Sequence, residues 1–199
     1  MADLFEDKAQ DWDTRPIPAQ ISEGVSQAIA EHVTLSEELT VMDFGAGTGL
    51  VCTKLAPLVG RVLAVDISEL MLSKLAGKEA LKGKVDVYCQ DILESPLSER
   101  VELIVSAMAM HHVEDTRALF DRFAEQLTEG GRLALADLDK EDGDFHPPGV
   151  EGVFHAGFER EALREIAESA GFSEVSFVTA TEVSKEEKRY PIFLMTAVK

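Results

Sequence analysis

At 199 residues, with 45% hydrophobic and 28% charged side chains, the chain is long enough to bury a core without disulfide or metal staples; its two cysteines, Cys52 and Cys89, form no C-x-x-C pair. Its 37 acidic side chains against 19 basic ones leave a net charge of −18, which repels a nucleic-acid backbone and argues against nucleic acid as a partner. No apolar run approaches the roughly 18–20 residues that span a bilayer, and the acidic start MADLFEDKAQDWD lacks the apolar region of a secretory signal. The expectation is a cytoplasmic protein with no membrane segment, its cysteines serving as small buried hydrophobes in a reducing compartment.

In chain order, Ile21, Val25, Ile29 and Val33 fall four apart within residues 18–35 and predict an amphipathic helix. Short β-rich runs follow at 39–44, 61–67, 84–89, 101–107 and 132–138. Helical stretches lie between them, clearest at 68–80 and 115–127; the second opens on Asp115 as an N-cap and ends before Gly130-Gly131, a stop signal. Near-continuous apolar strands alternating with helices predict a parallel sheet covered on both faces. Residues 139–158, DKEDGDFHPPGVEGVFHAGF, form a long irregular connection of the kind that is functional or disordered. A helix at 159–171 and two strands near 173–182 and 190–198, close enough to pair antiparallel, complete the chain.

The stretch VMDFGAGTGL, residues 41–50, ends a strand on Asp43 and places Gly45, Gly47 and Gly49 in a turn where backbone can approach a ligand closely. Its spacing departs from the dinucleotide pattern G-x-G-x-x-G, whose third glycine would fall on Leu50, and it has neither the spacing nor the lysine of a phosphate-binding P-loop. Asp43 would repel a pyrophosphate and welcome an ammonium, a balance that suits S-adenosylmethionine. Asp66, 21 residues after Gly45, can accept from ribose hydroxyls. Asp91 in YCQDI can accept from an adenine amino group, with Ile92 against the ring. Each acid taken singly also reads as a turn or cap residue.

With these residues in hand, the chain resembles the class I S-adenosylmethionine-dependent methyltransferases, in the compact small-molecule form related to quinone-biosynthesis methyltransferases. The likeness rests on VMDFGAGTG, LAVDIS, CQDI, SAMAMHHVED and GGRLALADLD, and covers residues 39–199. It implies an α/β Rossmann-like three-layer sandwich, with a seven-stranded, mostly parallel sheet in the order 3-2-1-4-5-7-6 and strand 7 antiparallel. One domain over residues 1–199 is expected, with 1–36 as an N-terminal helical cap segment, 37–199 as the core and 139–158 as active-site cover. The implied cofactor is S-adenosyl-L-methionine, leaving S-adenosyl-L-homocysteine, held by Asp43, Gly45, Ala46, Gly47, Gly49, Asp66, Ile67, Met71, Asp91, Ile92 and Ala107.

A methyl group on a sulfonium is already activated, so catalysis asks mainly for alignment, plus a base where the acceptor must lose a proton. The resemblance turns the segment after strand 4 toward that methyl group, making Met108, His111 and His112 candidates and either histidine a base; both also read as packing or helix-start residues. Phe145, His146, Phe154, His155 and Phe158 are candidates on the cover, with His155 grouped among the catalytic residues, while Trp12 and Phe5 would form the other wall. The acidic run Asp137, Asp139, Glu141 and Asp142 would suit Mg²⁺ or Ca²⁺, but reads as a solvated loop, and no metal is expected. SAMAMHHV lacks the Asn/Asp-Pro-Pro-aromatic run of enzymes that methylate nucleobase or amide nitrogens. The expected partner is therefore a small-molecule methyl acceptor with an O, S, N or C nucleophile. The alternatives are a regulatory protein that binds the cofactor without catalysis, and an enzyme acting on protein side chains.

Overall fold

The computed structural model describes residues 9–199. Helix α1 (Pro16–His32) precedes β1 (Thr40–Phe44), α2 (Leu50–Leu55), β2 (Arg61–Asp66), α3 (Glu69–Ala76), β3 (Val85–Cys89) and β4 (Val101–Ala107). After these come α4 (Thr116–Gln126), β5 (Leu127–Leu138), α5 (Arg160–Ser169), β6 (Ser173–Lys185) and β7 (Lys188–Val198). The seven strands form one sheet in the order β3-β2-β1-β4-β5-β7-β6, as the resemblance implies. The first five run parallel, and β7 runs antiparallel to both β5 and β6 because a two-residue turn, with Glu186 at φ +54°, reverses the chain.

The period of two along each strand divides the core. Val41, Val62, Ala64, Val105, Ala134, Ala136 and Leu194 face α1, α2 and α3, which contribute Ile21, Val25, Ile29, Leu55, Leu72 and Leu75. Met42, Leu63, Ile104, Leu133, Leu135 and Phe193 face α4 and α5, which contribute Leu119, Phe120, Phe123, Leu163 and Ala167. Helix α1 thus lies on the sheet. Gly24 brings it so near β6 that a Cβ there would stand 2.6 Å from Thr181 Cβ.

Two local expectations need correction, the helix-stop role of Gly130-Gly131 and the burial of both cysteines. Short helix α2 follows the glycine turn directly, although six residues are too few to show a period. Helix α4 starts on its Asp115 cap, which accepts from the Ala118 N–H at 2.9 Å, but it stops at Gln126. Gly130-Gly131 lies inside β5, with Gly130 at φ +73°, near a register irregularity against β4. Cys52 is buried, whereas Cys89 is exposed because β3 is the edge strand.

Candidate active site

Strands β1 and β4 are neighbours whose following connections leave toward opposite faces of the sheet, which opens a crevice at their carboxyl ends. The glycine turn occupies one lip. Gly45, Gly47 and Gly49 all have positive φ (+70°, +53° and +81°), where other residues are strained. A Cβ on Gly45 would stand 2.2 Å from Ala109 Cβ, so this glycine seats the turn against the segment after β4; a Cβ on Gly47 would meet nothing within 4 Å. The turn is no phosphate nest. The Gly45 and Ala46 N–H groups both donate to the Val65 carbonyl (2.9 and 3.0 Å), and the Gly47 N–H donates to Asp66 Oδ2 at 2.7 Å. Three successive donors therefore point into the protein, and carboxylates supply the local charge.

Asp43 is only 2% exposed. Its carboxylate accepts from Cys52 Sγ at 3.0 Å, and burial, with some help from the Asp66 charge, pushes its pKa from 3.8 up to about 7. The same burial, the Asp43 charge and that hydrogen bond push the Cys52 thiol well up. Asp66 spans the turn and the start of α3, accepting from Ser68 N–H at 2.9 Å as well as from Gly47. Beside it, at the carboxyl end of β2, Ile67 is 59% exposed. Asp91 is exposed and holds its own turn by accepting from Leu93 N–H at 2.8 Å.

Met71 is buried, and Ala46 nearly so; Ala107 is half-buried at the end of β4. Ile92 departs from expectation. It is fully buried with Met42, Leu63 and Val65 in the core beneath α4 and α5, so its side chain supports the crevice from behind and does not face a ring.

A third carboxylate reaches the turn from the N-terminal segment: Asp13 accepts from Thr48 Oγ1 at 2.5 Å and pairs with Lys78 Nζ at 2.7 Å. Trp12 lies beneath the Arg15 guanidinium, 5.5 Å from its ring centre, and Phe5 falls outside the described residues. Sequence reasoning named the aromatics and missed Asp13, whose partners lie 35 and 65 positions away.

Across the crevice, Met108 has φ +61°, a rare conformation for a side chain of this kind. The turn Met110–His112 then carries the histidine pair. His111 is 1% exposed and Asp137 fully buried. His111 Nδ1 lies 2.7 Å from Asp137 Oδ1, while the His111 and Leu138 N–H groups also donate to that carboxylate (3.2 and 2.8 Å). Asp137 is thus no member of a solvated run, since the last turn of the β5 pleat points it into the core. Asp139 instead forms a two-point ion pair with Arg160, and Glu141 accepts from the Gly143, Asp144 and Phe145 N–H groups. Among the described residues no group of three metal-ligating side chains gathers.

The 139–158 connection is pinned at its neck, where Lys140 N–H donates to the Phe158 carbonyl and Phe158 N–H to the Leu138 carbonyl. It closes over His111, whose carbonyl accepts from Phe154 N–H at 3.0 Å. His146 Nε2 comes to 3.2 Å from His111 Nε2, and His112 Nδ1 to 2.6 Å from the Gly152 carbonyl. His155 stands apart: its Nε2 lies 2.9 Å from the Val113 carbonyl and 3.2 Å from Thr116 Oγ1, tying the connection to the start of α4. Phe145 and Phe158 are buried, whereas Phe154 is 52% exposed.

Residues 41–131, the span from β1 into β5, match the methyltransferase domain family. An uncharacterised methyltransferase of Schizosaccharomyces pombe is 26% identical over 157 residues, 70% of this chain and 55% of that protein. The ubiquinone biosynthesis O-methyltransferase of Nitrobacter winogradskyi is 30% identical over 104 residues, 51% of this chain and 40% of that protein. The chain thus spans about half the length of these curated relatives. The N-methyltransferase NodS from Bradyrhizobium japonicum WM9, solved with S-adenosyl-L-homocysteine, shares the fold at a TM-score of 0.73, with 19% identity, over 99% of this chain and 94% of that one. The chain thus carries a methyltransferase domain over residues 41–131, and its strand order and glycine turn give it the fold of the class I S-adenosylmethionine-dependent methyltransferases.

Proposed function

We propose that this chain methylates a small molecule, using S-adenosyl-L-methionine and leaving S-adenosyl-L-homocysteine. One observation carries the reading. A buried carboxylate with a pKa near 7 stands beside a glycine turn that has open space above Gly47 and no N–H group turned outward at positions 45–47. Such a site rejects phosphate and favours a ligand bearing an ammonium.

In this reading Asp43 holds the ammonium and Asp66 accepts from the ribose hydroxyls, while Gly45, Ala46, Gly47 and Gly49 leave room for the chain between them. Ile67 covers one face of the adenine, Asp91 meets its amino edge, and Met71 and Ala107 complete the wall, backed by Ile92. Bound there, the cofactor would supply a methyl group on a positively charged sulfur. The protein's part is to align an acceptor with it and exclude water, which the 139–158 cover and the Asp13-tied N-terminal segment do. His111 and His112, at the end of β4, stand on the acceptor side; His155 holds the cover.

The acidic surface favours a small acceptor over a polynucleotide, and two cysteines without a disulfide between them suit the cytoplasm. Among the described residues no helix is long and apolar enough to cross a membrane. Calorimetric titration tests the reading. S-adenosylhomocysteine should bind at one site per chain, and NADH and ATP should give no heat; the reverse pattern would overturn it.

A further inference from the structure

On the face of the sheet opposite Asp43, a carboxylate and two imidazoles stand in line. We propose that Asp137, His111 and His146 form a proton relay, and that the acceptor is a molecule whose methylated atom carries an ionisable proton, such as a phenol, an enol or a thiol. The inference rests on the methyl-transfer reading above.

The line is fixed by its donors and acceptors. The Asp137 carboxylate takes two backbone N–H groups, and a carboxylate held in that way accepts from the ring, so His111 Nδ1 carries the hydrogen. His111 Nε2 is then the lone-pair nitrogen, and His146 Nε2, 3.2 Å away, donates to it. Burying Asp137 and His111 completely serves packing poorly, because apolar side chains fill such space at less cost. It serves charge storage well, since a proton arriving on His111 Nε2 makes an imidazolium directly against a carboxylate with no intervening water.

His146 is the outer end of the line, half-buried on the cover. Its neighbour Phe145 is held between the Tyr190 ring (5.2 Å) and the Lys185 ammonium (3.8 Å from the ring centre), while Tyr190 Oη donates to Asp144 at 2.8 Å. The β6–β7 hairpin therefore sets where His146 stands.

In the transfer step the acceptor's X–H bond breaks as its bond to the methyl carbon forms, and the carbon–sulfur electron pair stays on sulfur. The proton passes to the His146 ring, whose Nε2 hydrogen moves to His111 Nε2. The positive charge that began on sulfur ends as an imidazolium facing Asp137. A tertiary amine or a thioether, having no proton to lose, gains nothing from this arrangement, whereas acids of near-neutral strength match an imidazole. His146 is the catalytic residue here; His111 and Asp137 position it and hold the charge.

The test is a dead-end complex of the full chain with S-adenosylhomocysteine and 4-nitrophenol, read by the visible absorbance of the phenolate. One pH unit below the probe's own midpoint, about a tenth of the free probe is ionised. The wild type should bring most of the bound probe into the phenolate form, while Asp137→Asn and His146→Phe should leave it near that tenth. Nitrogen NMR of the histidine rings should show His111 with its hydrogen on Nδ1 in the wild type and on Nε2 in Asp137→Asn. Should the buried Asp137→Asn variant fail to fold, His146→Phe, at a half-exposed position, carries the test. If S-adenosylhomocysteine binds but the probe stays neutral, or turns to phenolate equally in both variants, the relay is overturned and the methyl-transfer reading stands. If S-adenosylhomocysteine does not bind, the methyl-transfer reading falls and takes the relay with it. Stoichiometric zinc in the purified protein would also overturn the relay, because two Nε2 atoms 3.2 Å apart suit one tetrahedral ion.

Discussion

Replacing Asp43 by Asn separates what this side chain costs the fold from what it gives the ligand. In the folded chain its pKa is about 7 against an ordinary 3.8, and at about 1.4 kcal/mol per pH unit the difference amounts to roughly 4 kcal/mol. The sign follows from proton counting. Between pH 4 and 7 the folded state holds a proton that the unfolded state has released, so stability falls as pH rises, and the full cost is present above pH 7. Asn carries no charge and keeps an oxygen for the Cys52 thiol, so the variant escapes that cost. Thermal unfolding of both proteins from pH 4 to 9, without ligand, should show the variant's advantage growing through pH 4–7 and levelling above it. At about 2–4 °C per kcal/mol for a chain of this size, the plateau comes to roughly 10 °C. The ligand reverses the ranking, because the ammonium loses its counter-charge and affinity for S-adenosylhomocysteine should fall about 100-fold or more. In the wild type, binding at pH 6 should release close to one proton per site, seen as heats that vary with buffer ionisation enthalpy, and at pH 8.5 almost none. Parallel unfolding profiles for the two proteins across pH 4–7 would refute the argument.

Gly45→Ala should lose about 2–4 kcal/mol in urea unfolding, from its positive φ and from the 2.2 Å approach to Ala109, and adding Ala109→Gly should restore the steric part. Gly47→Ala, with nothing within 4 Å, should cost only about 1 kcal/mol of stability, yet weaken S-adenosylhomocysteine binding sharply in calorimetry, because the added methyl enters the ligand's space. Asp13→Ala should barely move the melting temperature, since partly exposed pairs contribute at most about 1 kcal/mol, but should speed S-adenosylhomocysteine release several-fold. The fluorescence of Trp12, the chain's single tryptophan, gives a stopped-flow readout of that release. His155→Gln should lower stability by about 1 kcal/mol through its lost ties to Val113 and Thr116 and leave S-adenosylhomocysteine affinity unchanged.

What the sequence makes legible is whatever repeats or sits beside its partner. The parallel strands show as apolar runs because both their faces are covered, and the glycine turn is visible because three glycines crowd into five positions. Features that depend on register or edge position are hidden. Cys89 is exposed only because β3 closes the sheet, and Gly130-Gly131 signals a helix stop until β5 is seen running through it. Asp13 and Asp137 find Thr48 and His111 across 35 and 26 positions, with no periodicity to announce either contact. Asp43 and Asp137, each near the carboxyl end of its strand, read alike in sequence, yet the pleat sends one toward α2 and the other toward the α4–α5 face. Their surroundings then differ in kind. Asp137 meets two backbone N–H groups and a ring nitrogen, a complete set of protein donors. Asp43 meets only the weak thiol and the backbone N–H of Cys52, too little to keep burial from driving its pKa upward. A buried acid that the fold has fully satisfied serves the protein's own groups, and one left undersupplied is waiting for a cation from outside. That difference in donors, invisible in the letters Asp and Asp, is the ground on which we propose Asp43 for the cofactor and Asp137 for the histidines.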